Sequence, residues 1–222
     1  MVEQQPLQDK KIAVLVESQY IPEEIRVYRE KFASYGAEVH LMSNLWGQDS
    51  LTFVSEVEEP GKTPETLKVT YDFQKINLEE YAAVLMAANY TSVRLRYFEP
   101  PKDPAGNPRP ISPEMVRLSP AVQFYGKAMR NPNIIKGALC HGLWLLTPTP
   151  ELLAGRKVIC HEVVLADIVN AGAVYVPDPS NLVTDGDLVT GRTYHQAADL
   201  VDRIKDLIVE RVQKVNLAPV LC

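Results

Sequence analysis

Short apolar runs alternate along the chain with segments whose apolar residues recur at helical spacing. Residues 12–16 and 81–86 are apolar enough to be strands covered on both faces. Pro22 suits the first turn of a helix that ends near Gly36, and residues 193–214 carry an apolar stripe along one helical face. This alternation predicts an α/β protein with a mostly parallel sheet and helices on both of its faces. The same reasoning predicts strands at 37–43, 51–56, 67–72, 134–139, 157–160, 173–176, 182–184 and 188–190, and helices at 113–129, 142–146 and 163–170.

Length and composition restrict the class of protein. The chain has 222 residues, 46% of them hydrophobic and 23% charged, which favours one globular domain over residues 1–222 with short terminal tails. The formal net charge of −5 argues against a nucleic-acid partner held by an overall basic surface. Since neither a signal peptide nor an apolar stretch of about 20 residues is visible, we expect a cytoplasmic protein with no membrane partner.

A proline-rich segment at 98–113 interrupts the alternation of strands and helices. It holds six of the 17 prolines, so it cannot be a regular helix or a central strand. A linker between domains is one interpretation. We favour an insertion loop within one domain, because strands and helices resume unchanged after it, and long loops often serve as functional lids.

The sharpest local motif surrounds Cys140, in the segment 137–142 with the sequence GALCHG. An apolar strand leads into it, a helix leaves it, and the small residues Ala138 and Gly142 flank the cysteine. This pattern is typical of a nucleophile elbow, in which small neighbours permit a strained turn. The thiol would lie at the carboxyl end of the sheet and at a helix N-terminus, which lowers a thiol pKa and offers backbone N–H groups to an oxyanion. The alternative is a buried structural cysteine.

The chain has four histidines, of which three lie at or after the cysteine in sequence. His40 falls in a predicted strand and is expected to be structural. His161 ends the strand predicted at 157–160, which places it at the same sheet edge as Cys140. His195 opens the last helix at another strand's carboxyl end. A thiol needs an adjacent base for nucleophilic catalysis, but spacing alone does not decide which histidine supplies it.

Glu24, in the first predicted helix, is the carboxylate that could donate a proton to the thiolate or act as general acid and base. Its other interpretation is a first-turn acid favoured by the helix dipole, like its neighbour Glu23. The chain lacks a glycine-rich phosphate loop, so no nucleotide cofactor is indicated. Residues 160–162, Cys-His-Glu, are too compressed to form a metal site by themselves, so no metal is expected. The three cysteines, Cys140, Cys160 and Cys222, form no disulfide framework and fit a reducing compartment.

The sequence resembles the PfpI/ThiJ (DJ-one) family of the class I glutamine-amidotransferase-like superfamily. The resemblance spans residues 11–212, and the elbow followed by two later segments is its most specific part. It rests on KIAVLV at 11–16, YGAEV at 35–39, ALCHGLWLL at 138–146, LAGRKV at 153–158, DIVNAGA at 167–173 and LVTDGDLVTGR at 182–192.

The resemblance implies a flavodoxin-like three-layer sandwich and a set of site residues. It implies Cys140 as the reactive nucleophile and Glu24 as the acid that hydrogen-bonds it. His141 matches the histidine beside the nucleophile in peptidase-like members, and His161 matches the histidine facing the cysteine in DJ-one-like members. The backbone amides of Ala88 and His141 would form the oxyanion hole. Family members are usually homodimers or higher homo-oligomers, so the same is expected here.

Two departures from the family pattern bear on function. The family usually has Gly-Gly after the strand at 81–86, whereas this chain has Ala87-Ala88-Asn89, which restricts the backbone of Ala88. Peptidase-like members carry a glutamate slightly downstream, where this chain has Thr91 and Ser92. The second departure weakens the peptidase interpretation.

Three functions remain as hypotheses. The first is a cysteine-dependent enzyme without cofactor, of glyoxalase or deglycase type, acting on small reactive carbonyl compounds. The second is a cysteine amidase or peptidase acting on an amide substrate, which also requires an acid to orient the histidine. The third is a non-enzymatic thiol protein that senses oxidative stress through oxidation of Cys140.

Overall fold

The computed structural model describes residues 5–57 and 60–217, with side chains through residue 213. The strands and helices alternate over most of this length. The strands are β1 (Lys11–Leu15), β2 (Glu38–Ser43), β3 (Leu51–Val54), β4 (Thr66–Val69), β5 (Tyr71–Asp72), β6 (Tyr81–Met86), β7 (Ile135–Leu139), β8 (Lys157–Val158), β9 (Val174–Tyr175), β10 (Leu182–Asp185) and β11 (Leu188–Gly191). The α-helices are α1 (Pro22–Ser34), α2 (Thr91–Leu95), α3 (Pro120–Arg130), α4 (Glu162–Asn170) and α5 (Ala197–Leu217), with 3-10 turns at Leu78–Glu80, Met115–Leu118, Gly142–Leu146, Pro150–Leu152 and Tyr194–Gln196.

Seven strands form the central sheet, in the order β10-β11-β7-β6-β1-β2-β5. Every neighbouring pair is parallel except the terminal hairpin of β10 and β11. Helices α1 and α5 contact each other on one face, while α2, α3 and α4 lie around the 3-10 turn Gly142–Leu146 on the other. The predicted α/β fold with a mostly parallel central sheet and flavodoxin-like layers is therefore confirmed.

The order of the strands creates a switch point at the centre of the sheet. The chain runs outward from β1 to β2 on one side and from β6 to β7 and β11 on the other. In register, Leu15 of β1 pairs with Met86 of β6, and Met86 pairs with Ala138 of β7. The carboxyl ends of these three strands therefore lie level, and ligands bind open parallel sheets at such a position.

Two predicted helices differ from the structure because of local backbone chemistry. The single helix predicted over 113–129 is wrong: a 3-10 turn at Met115–Leu118 is followed by α3, which begins at Pro120. Proline disfavours helical geometry in the residue before it, and Ser119 is accordingly extended, with φ −51° and ψ 125°. The helix predicted at 142–146 is a five-residue 3-10 turn, so its dipole extends over little more than one turn.

Two pairs of strands lie outside the central sheet. Strands β3 and β4 form an antiparallel hairpin where strands are predicted at 51–56 and 67–72. The single strand predicted at 67–72 is divided, because Tyr71 and Asp72 form β5 in the central sheet. Strand β8, expected in the main sheet, instead pairs with β9 in a separate two-stranded sheet. Strand β8 consists of Lys157 and Val158, which pair with Val174 and Tyr175 of β9.

The proline-rich segment forms a compact turn between two neighbouring strands of one sheet. The Asp103 side chain accepts hydrogen bonds from the backbone N–H groups of Ala105 and Asn107, and Lys102 bridges to Pro108. The strands before and after the segment, β6 and β7, pair directly with each other. The segment therefore lies in the crossover between two paired strands of one sheet, and its interpretation as an insertion loop stays a prediction. Among the residues described, no helix is long and apolar enough to cross a membrane.

Candidate functional site

Cys140 occupies a sharp turn at the carboxyl end of β7. Its φ of 56° lies in the left-handed region that side chains other than glycine rarely adopt. The Cys140 N–H donates to the Gly191 carbonyl at 2.9 Å, and its carbonyl accepts from the His161 N–H at 3.3 Å. Both neighbours thus hold the strained residue in place, as expected for a nucleophile elbow.

The small residues around the cysteine are required by close packing. A Cβ atom added at Gly142 would lie 3.1 Å from the Cβ of Ala138 and 3.3 Å from the carbonyl oxygen of Met86. A side chain at Gly142 would therefore force apart the elbow and the end of β6. This packing explains why the sequence places small residues two positions before and after Cys140.

The His141 ring lies directly against the thiol. Its Nδ1 atom is 2.9 Å from the Cys140 Sγ, and the residue is 8% exposed. Burial, and to a lesser extent the neighbouring His161, lower the pKa of His141 to about 4. The ring is therefore neutral near pH 7, and its Nδ1 either accepts the thiol proton or donates a proton to a thiolate, depending on the tautomer.

Aromatic rings fix the orientation of His141. Tyr90 and His161 each stack with their ring centroids 5.3 Å from that of His141, and Trp144 lies tilted at 5.7 Å. Within the described residues, no carboxylate hydrogen-bonds the His141 ring. The arrangement therefore differs from a cysteine–histidine–acid triad, in which a carboxylate orients the base.

His161 reaches the site although β8 lies outside the central sheet. Its Nδ1 accepts the Val163 N–H at 3.2 Å and caps α4, which fixes the ring against His141. The Ile159 N–H donates to the Thr190 Oγ1 at 3.0 Å and ties this segment to β11. Side-chain hydrogen bonding therefore places His161 at the sheet edge, whereas the prediction relied on strand pairing.

Glu24 is completely buried at the switch point of the sheet. Its carboxylate accepts the Ala88 N–H at 2.8 Å and the Tyr28 hydroxyl at 2.7 Å. Burial raises the pKa of Glu24 to about 7, although both hydrogen bonds act to lower it. Ala88 follows β6, the strand next to β7, so Glu24 and Cys140 lie at the same edge of the sheet, one strand apart.

The backbone after β6 accommodates the absence of glycine. The positive φ of 66° falls on Asn89, which tolerates this conformation better than alanine. The Asn89 Nδ2 donates to the Gln19 carbonyl at 2.9 Å. The Ala88 N–H predicted for the oxyanion hole donates to Glu24 in this structure, so its role toward substrate and that of the His141 amide stay predictions.

The remaining histidines lie in other surroundings. His195 is exposed and its ring packs on Tyr194, with centroids 4.1 Å apart, so it is not part of the ring stack on His141. His40 is buried in β2, where its Nδ1 lies 2.8 Å from the Tyr81 hydroxyl. His40 thus has the structural surroundings expected for it.

The other two cysteines have no chemistry assigned to them. Cys160 is buried, and burial, followed by the nearby Glu162 and Cys140, raises the pKa of its thiol to about 12. Cys222 lies outside the described residues. No group of three or more histidine, cysteine or acidic side chains within the described ranges is arranged to hold a metal ion.

Sequence reasoning missed four residues that support the site. Tyr28 lies one helical turn after Glu24, and this i, i+4 spacing could have indicated the contact. Ser92 is buried and donates through its hydroxyl to the His141 carbonyl at 2.9 Å. Tyr90 and Trp144, which enclose the His141 ring, come from different parts of the chain, and no local pattern indicates their meeting.

Comparisons with known proteins relate the chain to one family. Residues 110–206 match the model of the DJ-1/PfpI family. A protein of Pyrococcus horikoshii named deglycase PH1704 is 26% identical over 148 residues, covering 67% of this chain and 73% of its own length.

Solved structures share the fold at low sequence identity. Drosophila melanogaster DJ-1beta superposes with a TM-score of 0.64 at 14% identity, covering 96% of this chain and 100% of its own. A ThiJ/PfpI domain protein of Brachyspira murdochii gives a TM-score of 0.65 at 14% identity over 91% and 98% of the two chains. A two-domain protein from Anabaena variabilis, with DJ-1/ThiJ/PfpI-like and ferritin-like domains, gives 0.66 at 20% identity. The match covers 92% of this chain but only 48% of the Anabaena protein.

Proposed function

We propose that this chain, whose residues 110–206 match the DJ-1/PfpI family, is a cysteine-dependent enzyme that acts on small reactive carbonyl compounds such as α-oxoaldehydes. One observation carries the proposal. The Cys140 thiol, in a strained turn, lies 2.9 Å from Nδ1 of the neutral His141, at the same sheet edge as the buried Glu24 carboxyl, whose pKa is about 7. The name of the 26% identical relative, a deglycase, is in keeping with the glyoxalase- or deglycase-type hypothesis.

The reaction begins with the Cys140 sulfur and the aldehyde carbon. The thiolate attacks that carbon, a carbon–sulfur bond forms, and the carbonyl electron pair moves to oxygen, which takes up a proton. The product is a hemithioacetal bound to Cys140. A neutral His141 with Nδ1 at 2.9 Å from Sγ can hold the sulfur in position and relay its proton.

An internal proton shift then converts the bound intermediate into a thioester. A base removes the hydrogen from the carbon that carries sulfur, and the electron pair passes to the neighbouring ketone to give an enediol. Protonation of the second carbon, with loss of the hydroxyl proton on the first carbon, leaves a 2-hydroxy thioester, which water hydrolyses to a 2-hydroxy acid and the thiol. One carbon is oxidised while its neighbour is reduced, so the reaction needs no external oxidant.

Glu24 is better matched to these proton transfers than His141. General acid–base catalysis is most efficient when the pKa of the group lies near the working pH. Glu24 has a pKa of about 7, whereas that of His141 is about 4. We therefore assign the proton transfers at the two carbon atoms to Glu24, relay of the thiol proton and positioning of the sulfur to His141, and positioning of the His141 ring to His161.

The amidase alternative has less support. Hydrolysis of an unactivated amide requires a base oriented by an acid, and the described residues place no carboxylate in hydrogen-bond contact with His141. The homo-oligomer and the cytoplasmic location remain predictions.

Turnover of methylglyoxal tests the proposal. We expect the purified protein to form lactate, and Cys140→Ser to lower kcat/KM by at least about 10³-fold. The matched control is Cys160→Ala, which removes the other described cysteine and should retain most of the activity. If the unmodified protein and Cys140→Ser are equally active or equally inert, the proposed reaction is wrong.

A further inference from the structure

A second cleft opens beside the carboxyl ends of β1 and β2. It has a volume of about 590 Å³ and is lined by Trp46, Tyr97, Phe98 and Pro100, together with the charged residues described below. We call it the aromatic cleft. Trp46 and Tyr97 are 50% and 55% exposed, and their ring centroids are 5.8 Å apart at a steep angle. Its volume lies in the usual range of about 300–1,000 Å³ for small-molecule sites.

A narrow cavity leads from the aromatic cleft toward the end of β2. Its volume is about 20 Å³, and it shares Glu17, Trp46, Arg94 and Tyr97 with the cleft. This space holds about one water-sized group, so a single oxygen atom of a ligand fits it, but a ring does not.

Two residues that line this cavity, Ser43 and Asn44, carry buried polar atoms without a hydrogen-bond partner. The Ser43 Oγ and the Asn44 Nδ2 form no hydrogen bond, although the two residues are only 1% and 5% exposed. The Asn44 amide cannot simply rotate to find a partner, because its Oδ1 accepts the Trp46 N–H at 3.1 Å and the Gln74 Nε2 at 2.7 Å. A buried donor without a partner is costly, so the cavity is suited to a group that accepts a hydrogen bond.

Charges at the wider part of the cleft favour an anion. Arg94 and Arg96 line it together with a single carboxylate, that of Glu17. The Arg94 Nε donates to the Gln19 side chain, and the Arg96 Nη1 donates to Thr147, so each guanidinium is held in place with further N–H groups to offer. Guanidinium groups bind carboxylates well.

We propose that the aromatic cleft is a second binding site, for a small aromatic acid that carries a hydroxyl or carbonyl oxygen. The ring packs against Trp46 and Tyr97, and the carboxylate lies near Arg94 and Arg96. The oxygen enters the cavity and accepts a hydrogen bond from the Asn44 Nδ2. Phe98 and Pro100, from the proline-rich insertion, form one wall. The site does not use Cys140 and goes beyond the proposed carbonyl chemistry.

Calorimetric titration with 4-hydroxybenzoate tests the proposal. We expect saturable binding with one site per chain, and about tenfold weaker binding of benzoate, which lacks the oxygen for Asn44. Absence of 4-hydroxybenzoate binding up to millimolar concentration overturns the proposal. Equal affinity for benzoate also overturns it, because the unpartnered atoms would then not contact the ligand.

Substitutions locate the site. Residue 46 has a positive φ of 51°, a conformation that asparagine tolerates. Trp46→Asn should therefore fold normally and weaken 4-hydroxybenzoate binding about tenfold, without lowering methylglyoxal turnover. Tyr71→Asn is the matched control, since Tyr71 is an exposed aromatic residue that packs on His40 and does not line the cleft. Ser43→Ala removes a hydroxyl without a partner and should preserve thermal stability while weakening binding. Binding by Trp46→Asn equal to that of the control variant contradicts the proposal.

Discussion

The two ends of strand β7 bury ionisable side chains in opposite ways. At its amino end, Lys136 is fully buried and forms an ion pair with Asp187, which also accepts from Arg156 at 2.8 Å. At its carboxyl end, Cys140 and His141 are buried, level with Glu24, and no cationic side chain is hydrogen-bonded to the Glu24 carboxyl within the described residues.

The pKa shifts follow this difference. Burial alone would raise the pKa of Asp187, but hydrogen bonds from Lys136 and Arg156 outweigh it and lower the pKa, so the aspartate stays charged. Glu24 has only neutral donors, and burial raises its pKa to about 7. The paired Asp187 carboxylate thus stays charged, although burial lowers the pKa of its partner Lys136, whereas the unpaired Glu24 carboxyl becomes able to exchange protons near neutral pH.

The largest expected effect is a loss of kcat/KM on substitution of Glu24, which lies level with the carboxyl end of β7. Glu24→Gln keeps acceptors for Ala88 and Tyr28 but removes the titratable group, so methylglyoxal kcat/KM should fall about 10²- to 10⁴-fold. The neighbouring Glu23 is exposed, so Glu23→Gln is the control and should retain activity. Full activity of Glu24→Gln would mean that the proton shuttle lies elsewhere.

The second prediction concerns the Lys136–Asp187 ion pair at the amino end of β7 and the stability of the fold. Asp187→Asn leaves Lys136 buried without its counter-charge, so the free energy of unfolding in urea should fall by about 3–5 kcal/mol. Activity per folded molecule should not change. Lys11 and Glu80 form an exposed pair, with side chains 36% and 51% accessible, so Glu80→Gln should cost at most about 1 kcal/mol. Equal losses from both variants would remove the contrast between buried and exposed pairs.

The third and smallest effect is the pH dependence of stability. The folded protein keeps the Glu24 proton up to about pH 7, whereas the unfolded chain releases it near the ordinary pKa of 4.5. The folded state is therefore disfavoured increasingly as pH rises through this window, by about 3 kcal/mol in full. Urea unfolding between about pH 5 and 8 should show this loss in the unmodified protein relative to Glu24→Gln.

His141 is expected to change stability with pH in the opposite direction to Glu24, and the same urea unfolding experiment can test this. Its pKa is lowered from 6.5 to about 4, so the unfolded chain takes up a proton before the folded protein does as pH falls. Relative to His141→Gln, the unmodified protein should lose stability as pH falls through this window. Slopes of the same sign for the two variants would contradict the assigned burial of one or both groups.

Much of the fold follows from local patterns. Apolar runs predicted β1, β6 and β7, and the motif of small residues around Cys140 predicted the elbow. The single helix predicted at 113–129 is wrong because Pro120 lies inside it, and proline disfavours helical geometry in the residue before it and starts a new helix. Strand β8 was misplaced because apolar residues at 157–160 indicate burial but do not indicate a partner strand.

The alternating strands and helices and the strained turn at Cys140 follow from the sequence, because they depend on residues a few positions apart. The choice of Glu24 as the candidate acid rests on the family resemblance, since local sequence equally allows a first-turn acid. Two contacts between distant parts of the chain appear only in the folded protein. The Ala88 N–H donates a hydrogen bond to Glu24, 64 positions away, and the rings of Tyr90 and His161 stack on His141. The protonation states also belong to the tertiary structure. A pKa depends on desolvation and on neighbouring groups in space, and the folded chain brings those together from distant segments.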